Sequence, residues 1–314
     1  MSTESEMKLF TLNSNEPLAS EIAEILNLPI GKSKVVRFSD GEVQIAIEES
    51  VRGEDVYVIQ STSQPVNEHV MELLIMIDAL KRASARTINV VLPYYGYARQ
   101  DRKARPREPI TAKLMANLLE KAGIDRVITL DLHAPQIQGF YNVPVDQLLG
   151  IPILAEYYQK QNIEDVVVVA PATSGLRRAR RMANILDVPI AFVDKRQPEP
   201  GADEVMNVVG DIDGKNVIIV DDMIDTADTV IQAAEAMLEH GVKDIYACGT
   251  HAVLSDPAVQ KIDHSPIKEL VITNSIVLPE EKAIDKITTL SVGPLFADAL
   301  TRIQKDHSVS ELFD

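Results

Sequence analysis

Acidic and hydroxyl side chains follow an apolar run in the second half of the chain. The run ends in Asp221 and Asp222, and residues 225–229 form a short polar turn before a helical pattern begins. A strand that turns directly into a helix exposes backbone N–H groups at the helix N-terminus, and these groups bind anions such as phosphate. The hydroxyls of Thr226 and Thr229 add donors. Asp221 and Asp222 lie where sugar hydroxyls or a magnesium-bound phosphate would be held.

Asp228 places a negative charge inside this phosphate turn. A carboxylate ~4 Å from a phosphate charge costs about 4 kcal/mol per unit charge at an effective dielectric constant near 20. The cost shrinks if the side chain points to solvent. The sequence leaves its direction open.

A second candidate is a basic segment in an otherwise acidic protein. The net charge of −16 argues against general binding to nucleic acid or to a membrane surface, so local basic clusters are informative. The segment contains Arg99, Arg102, Lys103, Arg105 and Arg107. This density favours an arm that closes over a triphosphate; the alternative is a solvated loop. Residues 177–181 hold four more arginines, which we expect on a helix face rather than on nucleic acid.

Two shorter segments carry further candidates. Residues 38–42 contain an aromatic ring and two acids, so adenine could stack on Phe38 while Asp40 and Glu42 accept from its amino group. The alternative is an ordinary turn with a core Phe. His133 follows another apolar run and is either a metal ligand or a turn histidine.

The elements that position these residues alternate along the chain. Short β-branched runs separated by helical patterns predict an α/β fold with mostly parallel, buried strands. Residues 55–93 and 216–252 show the same strand, polar turn, helix and strand pattern, which indicates an internal repeat. We therefore expect two similar domains, residues 8–149 and 150–314, in a chain of 314 residues.

Composition also limits the class of protein. The lone Cys248 excludes an intramolecular disulfide framework, and its apolar surroundings predict a buried strand thiol. The polar, acidic start is not a secretory signal, and no apolar run is long enough to span a membrane. We expect a cytoplasmic protein.

Taken together, residues 38–42, 97–111 and 131–133 resemble the ribose-phosphate pyrophosphokinase (phosphoribosyl pyrophosphate synthase) family, and the resemblance extends from residue 8 to residue 313. It implies two phosphoribosyltransferase-like domains, each a mostly parallel sheet flanked by helices. It implies dimers built into hexamers, and Mg²⁺ as cofactor. The implied reaction transfers the β,γ-diphosphoryl group of ATP to the 1-hydroxyl of ribose 5-phosphate and releases AMP.

The resemblance also implies residue roles, with ATP on the N-terminal side and ribose 5-phosphate on the C-terminal side. The adenine, held across a subunit boundary, would contact Phe38, Asp40, Gly41 and Glu42. The ATP phosphates would contact Arg99, Gln100, Asp101, Arg102 and Lys103. Catalysis would depend on Arg102, Lys103 and the loop residue Lys195. Magnesium would contact His133. Ribose 5-phosphate would contact Gln197, Asp221, Asp222, Asp225, Thr226, Ala227, Asp228 and Thr229. A regulatory phosphate or ADP site would include Ser308 and Ser310.

Five positions depart from the family pattern. Ala172 stands where the family has a metal carboxylate, Gln197 where it has an arginine, and Asp228 and Ser174 where it has glycines; Pro106 stiffens the arm. The departures predict slow turnover and a high requirement for ribose 5-phosphate. One alternative is a weakly active regulatory subunit of an intact paralogue. A salvage phosphoribosyltransferase is disfavoured by the adenine segment, the arginine arm and the duplication.

Overall fold

The computed structural model describes residues 6–196 and 205–313, without the side chains of Lys195, Arg196 and Val205. The chain divides into two units, each described here by itself. The first contains the residues up to Leu149 together with Ser275–Val277 and the C-terminal segment from Ser291, and the second contains Gly150–Asn274 and Leu278–Leu290.

The first unit is built on a parallel sheet with strand order β1-β4-β5-β6-β7, beside an antiparallel hairpin of β2 and β3. Its elements in chain order are β1 (Met7–Thr11), α1 (Glu16–Leu26), β2 (Ser33–Arg37), β3 (Val43–Ile47), β4 (Asp55–Ile59), α2 (Val66–Arg82), β5 (Thr87–Leu92), α3 (Thr111–Ala122), β6 (Arg126–Leu130) and β7 (Val145–Leu148). All five residues of β4 are buried, as expected for a strand covered on both faces.

The second unit has a sheet with strand order β10-β9-β8-β11-β12-β13-β14, in which the described β9–β10 pair is antiparallel and the other pairs are parallel. Its elements are α4 (Ile151–Gln161), β8 (Val166–Ala170), α5 (Leu176–Leu186), β9 (Ile190–Arg196), β10 (Val205–Val209), β11 (Asn216–Ile224), α6 (Asp228–Glu239), β12 (Ile245–Ala252), α7 (Ala258–His264), β13 (Ile267–Thr273) and β14 (Ile287–Leu290). Cys248 is fully buried in β12, as predicted.

The order of elements repeats between the units. In each, a strand and helix lead to an antiparallel pair, and then to a central strand, helix, strand, helix, strand and edge strand. The central strands β4 and β11 therefore occupy equivalent places, followed by the serine- and threonine-containing loop in one unit and the phosphate turn in the other. The predicted α/β fold class is confirmed. No helix of the described residues is long and apolar enough to cross a membrane.

The unit to which the last helix belongs differs from the expectation that residues 150–314 form one domain. Helix α8 (Gly293–Gln304) belongs to the first unit, as do residues 275–277. It packs on α1, and Ser291 donates a hydrogen bond of 2.6 Å to Glu21. Tertiary packing between the two ends of the chain decides this assignment, and sequence order alone does not reveal it.

Candidate functional site

The arginine arm, residues 99–110, is joined to the carboxyl end of β5 by a tightly packed root, residues 94–97. The Thr62 hydroxyl accepts from the Gly96 N–H at 2.7 Å and donates to the Tyr94 carbonyl at 3.1 Å. A Cβ atom on Gly96 would overlap the Thr62 carbonyl oxygen, so only glycine fits there. Tyr97 follows with φ of +65° and bonds to Asn67 through its hydroxyl. A buried, conformationally restricted root therefore carries the arm.

The arm itself is exposed, including Arg99, Gln100, Arg102 and Lys103. The Glu108 carboxylate organises its turn by accepting from the backbone N–H groups of Ala104 and Arg105 at 3.0 and 2.8 Å. These contacts hold the cationic segment in one turn while its charged side chains face solvent. Exposure fits both an arm that closes over a triphosphate and a solvated loop, so the choice between them stays a prediction.

Asp101 connects the arm to the loop after β6. Gln136 donates to its carboxylate at 2.7 Å, and the exposed His133 lies three residues earlier in that loop. Parallel strands end at one edge of a sheet, so the arm and the His133 loop share the carboxyl edge of the first unit. Asp131, at the start of this loop, has φ of +36°, a conformation that non-glycine residues adopt at a cost and that is frequent at functional sites.

Residues 38–42 form the tip of the β2–β3 hairpin. The side chain of Phe38 is 48% exposed, so the alternative of a core phenylalanine is wrong. Asp40 accepts from the Glu42 N–H at 3.0 Å, and Gly41 has φ of +93° with open space around its Cα. The tip thus presents an aromatic ring and two carboxylates to solvent.

Sequence reasoning missed the residue that anchors this hairpin. Arg37, next to Phe38, pairs with Glu68 and with the fully buried Glu72 of α2. Glu72 also accepts from Asn13 at 2.9 Å and from Gln60 at 3.1 Å. A buried carboxylate is stable only when donors compensate it, and here three side chains do so. No local pattern in the sequence marks this long-range network.

In the second unit, Asp221 and Asp222 do not end a strand as the sequence suggested. Strand β11 continues to Ile224 because its last residues pair with β12, with Asp221 opposite Gly249 and Ile224 opposite Ala252. The two carboxylates therefore point from a rigid strand rather than from a loop.

Arg178 of α5 holds both carboxylates, with N–O distances of 3.3 Å to Asp221 and 3.2 Å to Asp222. The second arginine cluster thus lies on a helix, as predicted, and one of its members, Arg178, pairs with two acids. The side chains of Asp221 and Asp222 are 22% and 5% exposed. Burial, reinforced by the charge of Asp222, raises the pKa of Asp221 to about 7, and Arg178 opposes that rise. Asp221 therefore takes up a proton as the pH falls through about 7.

The phosphate turn lies between β11 and α6. Ala227 has φ of +63° and precedes the first helical residue, Asp228, and its side chain caps no N–H group. A helix begins with N–H groups that have no partner within the helix, and they attract anions. Thr226 and Thr229 are exposed beside them. The geometry suits a phosphate group.

The direction of Asp228 is settled by its contacts. Its carboxylate pairs with Lys261 of α7 at 2.6 Å, and this ion pair and a hydrogen bond from Thr226 lower its pKa. The charge that sequence alone sets against phosphate is therefore balanced locally. Lys261 is 33 residues away in the sequence, so the turn itself gives no signal for it.

Several predicted residues do not join these arrangements. Gln197 lies outside the described residues, and Lys195 is described only by its backbone, which pairs with Met206. Ser308 and Ser310 form a hydrogen bond of 2.9 Å to each other on an exposed surface of the first unit, where Arg302 binds the Ser308 carbonyl.

The described side chains do not build a resident metal site. They contain no group of three or more His, Cys, Asp or Glu residues placed to hold an ion. Ala172 lies in extended backbone before a short turn and offers only a methyl group. The expected magnesium contact involves one protein side chain, His133, and does not depend on such a group, so it stays a prediction.

Comparison with known proteins identifies relatives over nearly the whole chain. Two family models match it: the N-terminal domain of ribose phosphate pyrophosphokinase over residues 7–123, and the phosphoribosyl synthetase-associated domain over residues 160–314. The ribose-phosphate pyrophosphokinase of Bacillus caldolyticus is 65% identical over 309 residues and covers 98% of both chains. That of Bacillus subtilis (strain 168) is 64% identical over 307 residues, covering 98% of this chain and 97% of its own. The crystal structure of phosphoribosylpyrophosphate synthetase from Mycobacterium smegmatis superposes with a TM-score of 0.92 at 40% identity, covering 96% of this chain and 100% of its own.

Proposed function

Because the chain belongs to the ribose-phosphate pyrophosphokinase family, we propose that it transfers the β,γ-diphosphoryl group of ATP to the 1-hydroxyl of ribose 5-phosphate. The sugar oxygen forms a bond to the β-phosphorus, the bond from that phosphorus to the α,β-bridging oxygen breaks, and AMP leaves. The hydroxyl proton passes to solvent. The products are AMP and phosphoribosyl pyrophosphate.

The observation that carries this proposal is the exposed cationic arm on a buried root. Diphosphoryl transfer needs little covalent help from a protein, because positioning and neutralisation of the phosphate charges provide most of the catalysis. Arg99, Arg102 and Lys103 supply positive charge from a turn that Glu108 organises. Phe38, Asp40 and Glu42 on the hairpin tip would hold the adenine.

The second unit would bind the sugar phosphate. Asp221 and Asp222 would accept hydrogen bonds from ribose hydroxyls, and Arg178 would keep both carboxylates in place. The N–H groups at the start of α6 and the hydroxyls of Thr226 and Thr229 would bind the 5-phosphate.

Magnesium enters this proposal as part of the substrate. We take the ion to arrive on the ATP triphosphate, whose oxygens are the ligands that it prefers, and His133 in the exposed loop after β6 would contact it there. The proposal also includes a cytoplasmic homo-oligomer based on dimers. The regulatory alternative gains nothing from the relatives above, which all have the enzyme's name.

The test is steady-state AMP release with ATP, magnesium and ribose 5-phosphate. Arg102→Met and Lys103→Met should each lower kcat by about tenfold to a hundredfold, because each removes a charge that stabilises the transferring group. Lys34→Met is the matched control: its side chain is 67% exposed and pairs with Glu48 on the hairpin stem. Unchanged kcat in both arm variants would overturn the assignment of the arm.

A further inference from the structure

Asp228 is a charged residue in the first turn of α6, where the proposed function places a phosphate. It carries full negative charge at neutral pH, because an ion pair and a hydroxyl both favour its ionised form. A carboxylate and a phosphate would repel each other in this turn. Binding of ribose 5-phosphate therefore requires a positive group that balances Asp228.

Lys261 meets this requirement by its position. It lies on α7 between Ala258 and Ile262, which are both fully buried and fix the helix against the core. Its ammonium group is 2.6 Å from Asp228 Oδ1, and the two side chains are 37% and 51% exposed. An ammonium group has three donors, so one contact with Asp228 leaves two that can face an incoming anion.

We infer that Lys261 is a substrate-positioning residue that neutralises Asp228 and so admits the 5-phosphate of ribose 5-phosphate to the first turn of α6. The inference rests on the proposed function and deepens it by adding a residue that positions the 5-phosphate. Asp228 and Lys261 form one functional unit: Asp228 alone would repel the phosphate, and the ion pair removes most of that repulsion.

The charge on Lys261 is tested first. Lys261→Met keeps much of the side-chain length and leaves Asp228 unbalanced, so KM for ribose 5-phosphate should rise about tenfold or more while KM for ATP stays unchanged. Lys261→Arg keeps the charge and should stay within about twofold of wild type. The matched control is Lys268→Met, which breaks a comparable pair with Asp244 at 2.9 Å near the amino ends of β12 and β13.

The neutralising role is then tested by a double substitution. Adding Asp228→Asn to Lys261→Met should return KM for ribose 5-phosphate to within about threefold of wild type, because the repulsive charge is gone. Calorimetric titration with ribose 5-phosphate alone should show the same order of affinities without turnover. Melting temperatures identify any variant that is simply misfolded. If Lys261→Met is misfolded, KM for ribose 5-phosphate in Lys261→Arg decides whether a positive charge at this position is sufficient.

Three results would overturn the inference. KM for ribose 5-phosphate could be unchanged in Lys261→Met, or the rise could persist in the double variant; either shows that Lys261 does not neutralise Asp228 for the substrate. Alternatively, the wild type could bind a non-hydrolysable ATP analogue but neither bind nor turn over ribose 5-phosphate. That result rejects the proposed function itself and the inference with it.

Discussion

At the scale of single residues, the second unit places two carboxylates against one guanidinium. Asp221 is mostly buried beside Asp222, and Arg178 bonds to both. Under the proposed function, the pair would accept hydrogen bonds from sugar hydroxyls with oxygens that are fixed before the ligand arrives. The arrangement also makes stability depend on pH.

Asp221→Asn should remove part of that pH dependence. The pKa of Asp221 is about 7 in the folded protein and ~3.9 in the unfolded chain, so the folded state binds this proton more tightly. The resulting stabilisation is complete below pH ~4 and is lost as the pH rises through ~7. Relative to wild type, the variant should gain up to ~2–3 kcal/mol between pH 5 and pH 8. Thermal melting at both values measures the change, with the exposed Asp285→Asn as control. An equal difference from wild type at both pH values would rule out a raised pKa at Asp221.

Phe38 gives a second prediction at this scale. Since its ring is 48% exposed, Phe38→Ala should leave the melting temperature nearly unchanged but weaken binding of an ATP analogue by about tenfold, through loss of stacking on adenine. Met71→Ala removes a comparably exposed apolar side chain from α2 and should not affect the analogue. Calorimetric titration of each variant with the ATP analogue, in the presence of magnesium, compares their affinities. Equal affinity of both variants for the analogue would show that Phe38 does not contact the adenine.

At the scale of elements, the loops matter because rigid strand ends hold them. The root of the arm depends on one position without a side chain, Gly96, packed on the Thr62 backbone. The hairpin that carries Phe38 depends on Arg37 and the buried Glu72. Function would thus be sensitive to substitutions that touch no substrate.

Gly96→Ala tests this dependence. The added methyl group must displace the Thr62 carbonyl, so the protein should lose about 1–3 kcal/mol of stability and the arm should lose its alignment. We expect lower kcat together with a lower melting temperature. Gly139→Ala is the control, because an added Cβ atom there meets open space. A Gly96→Ala protein as stable and active as the control would show that the root is not tightly packed.

How far the sequence predicts these elements depends on whether the signal is local. Strand β8 and residues 56–59 of β4 are continuous apolar runs, and the repeat around β4 and β11 is visible because both copies keep the strand–turn–helix pattern. The extension of β11 through Asp221 and Asp222 is not visible, because aspartate disfavours strands and only pairing with β12 explains it. The Asp228–Lys261 pair is equally hidden, since α7 brings the lysine from a distant segment.

At the scale of the whole molecule, the C-terminal segment of the chain is part of the first unit. Helix α8 packs on α1, and Phe296 is fully buried. Sequence order placed this helix with the second half, yet the helix belongs to the unit that carries the arm and the hairpin. Changes near the C-terminus should therefore be felt at the opposite end of the chain.

Phe296→Ala tests the packing of α8 on the first unit. Loss of a fully buried ring should cost about 3–5 kcal/mol, and the loosening should spread through α1 and β1 rather than through α6 or β12. Hydrogen exchange followed by mass spectrometry locates the change. Faster exchange confined to the second unit would contradict the assignment of α8 to the first.

The most direct test of the central claim is to identify the products of the wild-type protein by ³¹P NMR. With magnesium, ATP and ribose 5-phosphate, we predict that AMP and a 1-diphosphate of ribose 5-phosphate appear in equal amounts, with no ADP formed. Omitting ribose 5-phosphate should stop AMP release. Formation of ADP, or intact substrates after long incubation of a protein that still binds an ATP analogue, would contradict the account.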